Sequence, residues 1–213
     1  MKIALFGATG MIGQRVLAEA VSRGHQVTAV ARDITKVKAT GPNVRAVKAD
    51  ILDPNSVAGV VAGHDAVVSA FSPVGDQGLD SLVKSVRSLI AGLKQAGVKR
   101  LVAVGGAGSL EVAPGVQLVT VPQFPEAYKA IALAHGDALN VFRKEAGGLD
   151  WTSFSPAAVI APGQRTGQFR LGEDKLVADA KGDSLISAED YAVALVDELE
   201  HPKHIGKRFT AAY

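Results

Sequence analysis

The 213-residue chain contains no cysteine. That excludes disulfides, thiol nucleophiles and cysteine-ligated zinc or iron–sulfur centres. An excess of one charge is missing too: 23 Lys and Arg stand against 21 Asp and Glu, a net +2. No basic cluster is dense enough to read as a nucleic-acid or anionic-lipid surface, so neither nucleic acid nor membrane is expected as a partner. No apolar run approaches the roughly 20 residues of a membrane span. The run after Met1-Lys2 stops at Gly7, too short for a signal-peptide core, and a cytoplasmic location is expected. Metal-ligand spacing is nearly absent as well. The five histidines are scattered, and the one close pair, His201 and His204, lies in a polar, Pro-containing stretch that reads as solvated loop; no metal is expected.

Hydrophobic residues make up 47% and charged residues 21%, an ordinary balance for a globular protein. The length suits a single domain over residues 1–213. Ile3 to Phe6 is a compact apolar run that reads as a buried strand. Met11, Ile12, Val16, Leu17, Ala20 and Val21 recur at helical spacing, with Gly24 as a stop. Val27 to Val30 reads as the next strand, completing a βαβ unit.

The alternation continues. Strands are expected at 44–47, 66–68, 101–104 and 151–154, and helices at 54–62, 79–96 and 124–146. This order predicts an α/β fold, a Rossmann-like doubly wound parallel sheet with helices on both faces and a small C-terminal substrate-side lobe. Residues 107–123 and 161–184 are the longest irregular stretches. Substrate-side elements are therefore expected mainly from 107–123 and 157–185, beyond strand ends.

The glycines of Gly7-Ala8-Thr9-Gly10-Met11-Ile12-Gly13 lie between the first strand and the first helix. Gly7 allows the tight turn, Gly10 lets backbone amides approach a pyrophosphate, and Gly13 lets the helix pack on the sheet. The helix start offers unpaired N–H groups and partial positive charge to an anion. Thr9, Met11 and Ile12 lie on the same turn and are expected to contact the dinucleotide. The second strand leads to Arg32, where an NAD site usually has a carboxylate. A guanidinium fits a 2′-phosphate, so NADPH is favoured, with NAD as the alternative. Asp33 reads as the cap of a short helix containing Lys36. Asp50 could accept from adenine beside Ile51, or equally cap the helix at Pro54. Ser69, Ala70 and Phe71 follow the fourth strand and are expected to border the bound dinucleotide, as is Gly105.

Several stretches together resemble the atypical short-chain dehydrogenases/reductases. They are the glycine turn, Val30-Ala31-Arg32, Ala49-Asp50-Ile51, Val104 to Ser109, Leu149 to Ala157, and Ile186 to Ala192 with Gly206 to Thr210. The nearest group is the NAD(P)H-dependent flavin reductases, similar to biliverdin reductase B and the NmrA-like proteins. The resemblance implies NAD(P)H as cofactor, FMN or FAD as a substrate that the site could take, and backbone at Pro156 and Ala157 beside the nicotinamide.

One departure matters. Short-chain dehydrogenases pair a Tyr with a Lys four residues on, and here Tyr128 is followed at that place by Ala132. The catalytic candidates are then Ser109 as a carbonyl hydrogen-bonding group, Tyr128 as a flat wall or O–H donor, and His135 for cofactor contact or proton delivery. Arg165 and Arg170 read as solvated loop charges, with an acidic substrate as the alternative. The expected activity is hydride transfer from NADPH to a flavin, quinone or similar flat acceptor. A catalytically weak, NmrA-like redox sensor is the rival. The partner is a small-molecule acceptor, the chain being a monomer or homodimer.

Overall fold

Period-two alternation along the strands sorts their side chains onto two faces, and helices cover both. The computed structural model describes residues 1–38, 41–73 and 77–213. The strands are β1 (Lys2–Phe6), β2 (Gln26–Ala31), β3 (Val44–Lys48), β4 (Ala66–Ser69), β5 (Arg100–Val104), β6 (Glu111–Ala113), β7 (Val116–Gln117), β8 (Asp150–Ser155), β9 (Val159–Ala161), β10 (Arg170–Gly172), β11 (Leu185–Ser187) and β12 (Lys207–Ala212). The helices are α1 (Met11–Ser22), α2 (Pro54–Val61), α3 (Asp80–Ala96), α4 (Glu126–Glu145) and α5 (Ala188–Glu200). Ile3 and Leu5 face one core with Val16 and Leu17 of α1 and Tyr191 and Leu195 of α5. Ala4 and Phe6 face the other, with Val57 of α2, Leu89 and Leu93 of α3 and Phe142 of α4.

The main sheet runs in the order β10-β12-β8-β5-β4-β1-β2-β3. Chain order reverses between β1 and β4, where a ligand crevice opens beyond the carboxyl ends of the strands. The expectation of a doubly wound parallel sheet holds with one exception. β10 pairs antiparallel with β12, from Arg170 opposite Ala212 to Gly172 opposite Thr210. The two irregular stretches also carry structure of their own. Residues 111–117 form the β6/β7 hairpin, and β9 pairs parallel with β11.

Helix ends follow local chemistry. Gly97, at φ +73°, stops α3 in the left-handed region that glycine tolerates. Asp33 accepts from the Thr35 amide and caps the short 3-10 turn at Ile34–Lys36, as expected. The α2 cap is Asp53, whose side chain accepts from the Asn55 amide at 3.0 Å. Asp50 does not cap that helix: its carboxylate accepts from the Leu52 amide at 2.9 Å. Two other expectations are corrected. His204 is no solvated loop residue, because its Nδ1 meets the Glu198 carboxylate at 2.8 Å and its ring stacks on Phe209. Arg165 binds both carboxylate oxygens of Glu19 at 2.8 Å, and Arg170 donates to the Ala178 and Tyr213 carbonyls. No helix among the described residues is long and apolar enough to cross a membrane, and they hold no cluster of metal-ligating side chains.

Candidate dinucleotide site

The glycine turn leaves β1 with Gly7 at φ +77°, and a Cβ there would lie 2.4 Å from the Ala70 carbonyl oxygen. A Cβ on Gly13 would lie 2.0 Å from the Gly7 carbonyl oxygen. Both glycines are therefore required by the fold. Gly10 differs. Its nearest neighbour to an added Cβ is 3.5 Å away, ordinary van der Waals contact, so the protein itself does not demand glycine there.

Gly10 is the N-cap of α1 and offers no capping side chain, and no acidic residue occupies that helix's first turn. The first intrahelical bond runs from the Gln14 amide to the Gly10 carbonyl, which leaves the Met11, Ile12 and Gly13 amides ahead of the ladder. The other four helices have either a capping side chain or a first-turn carboxylate. The α1 terminus alone among them keeps its positive end uncompensated, as an incoming phosphate requires. Gly10 also stands open to a ligand, so the turn fits a pyrophosphate on the geometry of the chain itself.

Two compartments meet at this turn. The first, about 240 Å³, is lined by Gly7, Thr9, Gly10, Arg32, Ile51 and Phe71. The Arg32 guanidinium donates to the Gln77 side-chain oxygen at 3.2 Å. Asp33 turns its carboxylate to Thr35, whose hydroxyl and amide hold it below the usual carboxylate range. With that carboxylate turned away, the Arg32 guanidinium stands as a cation in the compartment wall.

The second compartment, about 520 Å³, shares Gly10, Ala70, Phe71 and Ser72 with the first. Met11, Ile12, Gly105, Tyr128, His135, Pro156 and Ala157 all line it. Tyr128 is 64% exposed, so it forms a wall of the cleft rather than part of a core. His135 packs so closely on Gly106 that a Cβ there would come within 2.7 Å of its own Cβ. Burial holds its pKa down to about 4. The ring is thus neutral near pH 7 and offers one N–H, which suits cofactor or acceptor contact and not delivery of a proton from imidazolium.

Other sequence candidates stand elsewhere. Ser109 lies outside both compartments and accepts from Arg208 Nη1 at 2.8 Å. Arg208, almost wholly buried, also grips Asp174, so Ser109 belongs to a structural polar cluster. Ser69 is buried in β4 behind the cleft, and Ser72 takes the lining position. Asp50 is exposed, with Ala49 and Ile51 forming the wall beside it. Gln77 and Phe124 line the compartments without having been singled out in the sequence, whereas Leu118 and, in β9, Val159 and Ile160 fall within the stretches expected on the substrate side. The available signal for Phe124 was the proline-led helix start at Pro125.

A parallel sheet with this turn at its reversal point defines a Rossmann-type dinucleotide-binding protein. Residues 7–202 match the NAD(P)H-binding family, and the chain belongs to it. A protein from Burkholderia pseudomallei described as a putative exported protein is 54% identical, each chain covered over 100%, with a TM-score of 0.91. A putative epimerase from Bacteroides thetaiotaomicron is 46% identical, with 100% of this chain and 96% of that one covered and a TM-score of 0.92. A putative NADH-flavin reductase from Streptococcus pneumoniae TIGR4 is 36% identical, with 100% and 99% covered and a TM-score of 0.88.

Proposed function

We propose that this protein is an NADPH-dependent reductase whose acceptor is a flavin, a quinone or a similar flat molecule. One observation carries the reading. A cationic compartment at Arg32 and a broad apolar compartment at Tyr128 and His135 meet at an uncapped helix start. When bound, NADPH supplies a hydride and becomes NADP⁺, while the acceptor takes that hydride and one proton from water. The chain then has to bind and orient, and little more, because no side chain need form a bond to the acceptor. Arg32 would hold the 2′-phosphate. The Met11 and Ile12 amides would meet the pyrophosphate. Pro156 and Ala157 present backbone at the far end, and His135 donates one N–H.

The missing Tyr–Lys pair supports this reading over carbonyl reduction. Ala132 stands where the lysine would be, and Lys129 turns to Glu126 at 3.4 Å. Tyr128 therefore lacks the lysine partner that completes the pair in carbonyl reductases of that type. The same absence weighs against an epimerase of the extended short-chain type, despite the description of the Bacteroides relative. The Streptococcus relative's description agrees with flavin reduction. A cytoplasmic location goes with the reading, since that is where a cell keeps reduced nicotinamide dinucleotide.

The test is NADPH oxidation with riboflavin, FMN and menadione in turn. Protein-dependent oxidation with at least one acceptor is expected. Tight NADP⁺ binding with no turnover on any of the three would overturn the reductase reading in favour of a sensor.

A further inference from the structure

The two compartments divide the charge of the groove between them. Arg32 and Lys36 line the first. The second has no Lys, Arg, Asp or Glu in its wall among the described residues. Its aromatic surfaces are Phe71, Phe124 and Tyr128, and its polar side chains are Ser72, the Tyr128 phenol and His135. His135 carries no charge at neutral pH, because burial keeps its pKa near 4.

Four cations outside the cleft wall have carboxylate partners. Lys129, next to Tyr128, pairs with Glu126. Arg15 on α1 pairs with Glu189 at 2.9 Å, and Arg165 holds Glu19 in a fork. Arg208 is held by Asp174.

We infer that the second compartment selects an uncharged planar ring, free riboflavin or a quinone, over a phosphorylated flavin such as FMN or FAD. This rests on the reductase reading for the identity of the ring, and it adds the acceptor's charge. A phosphate monoester carries about −1.5 to −2 charges at neutral pH. Desolvating that charge beside an apolar wall is costly unless a cation pairs with it. The dinucleotide's own phosphates, at the Gly10 junction, add repulsion. An uncharged ring meets neither cost and gains contact with Phe71, Phe124 and Tyr128, where flat aromatic surfaces stack well.

Riboflavin and FMN share a ring and a ribityl chain and differ in the phosphate, so they isolate the charge. Titration of each into NADP⁺-saturated protein, followed by quenching of flavin fluorescence, gives the two dissociation constants without turnover. Riboflavin is expected to bind about ten-fold tighter than FMN. Val159 is 58% exposed on the cleft wall, so Val159→Arg places a cation there with little demand on the fold. That variant is expected to bind FMN as tightly as riboflavin, or tighter. FMN matching or exceeding riboflavin in the wild-type protein overturns the inference, and so does the absence of saturable riboflavin binding. Selective riboflavin binding with no NADPH oxidation on riboflavin, FMN or menadione leaves the charge selection standing and removes the reductase reading.

Discussion

Gly10 and Gly13 sit one helical turn apart, yet substitutions at them should fail in different ways. A side chain at Gly13 collides with the Gly7 carbonyl, so Gly13→Ala should lower stability, with or without ligand. At Gly10 the protein leaves room for a Cβ, and Gly10→Leu should fold, with only the modest drop in melting temperature that a poorer helix N-cap brings. It should lose the stabilisation that added NADP⁺ gives the wild type; thermal unfolding with and without NADP⁺ reads both effects. Arg32→Ala should raise the NADPH dissociation constant ten-fold or more, about 1.4 kcal/mol, and change that for NADH by less than two-fold. Titration by nicotinamide fluorescence checks it, and equal losses for both would deny Arg32 its 2′-phosphate.

His135 makes a pH prediction at the same scale. In the folded protein its pKa is about 4, against about 6.5 for an unperturbed ring. Between those values the unfolded chain binds more protons, so protonation favours unfolding. Stability is therefore full above about pH 6.5 and declines as pH falls toward 4, by an amount on the order of 2–3 kcal/mol. Urea unfolding across this range should show the decline in wild type and a shallower one in His135→Gln. Above pH 6.5 substrate binding should be insensitive to this ring's titration.

At the scale of elements, α5 holds the segment around Thr166 in place. Ser187 caps it by accepting from the Asp190 amide at 3.0 Å, but the reciprocal half of a capping box is missing. The Asp190 carboxylate, buried, instead accepts from the Thr166 and Gly167 amides at 2.8 and 2.7 Å and from the Tyr213 hydroxyl at 2.8 Å. Burial alone would raise its pKa; these donors outweigh that and leave it below the usual range. Asp190→Ala removes the shared acceptor of these part-buried donors and should cost about 1–3 kcal/mol in equilibrium unfolding.

Legibility in sequence followed the reach of each interaction. Main strands and helices were readable because apolar spacing and glycine stops are local. The Gly7 turn was readable for the same reason. Ser109 was not, since its partner Arg208 is 99 residues away and only the fold brings them together. Asp50 and Asp53 both stand within reach of the same helix start, and spacing alone does not choose between them. β10 has three residues and a partner strand 38 positions or more along the chain, too little local pattern to show an antiparallel edge.

Across the whole molecule, the two ends of the sheet do different work. At the N-terminal ends of its strands Arg100 reaches Glu198 at 3.0 Å and Thr152 at 2.7 Å, a buried network that also holds His204. At the carboxyl ends the chain spends its glycines, an uncapped helix and an apolar cleft on a ligand. These features come from segments as far apart as Gly7 and Ile160, and the sheet reversal at β1 and β4 gathers them. The most direct test is the rate of NADPH oxidation with riboflavin as acceptor, wild type beside Gly10→Leu. The geometry predicts turnover by the wild type and loss of at least nine-tenths of it in the variant, which keeps its fold. Equal rates in the two proteins would contradict the assignment of this groove to the dinucleotide.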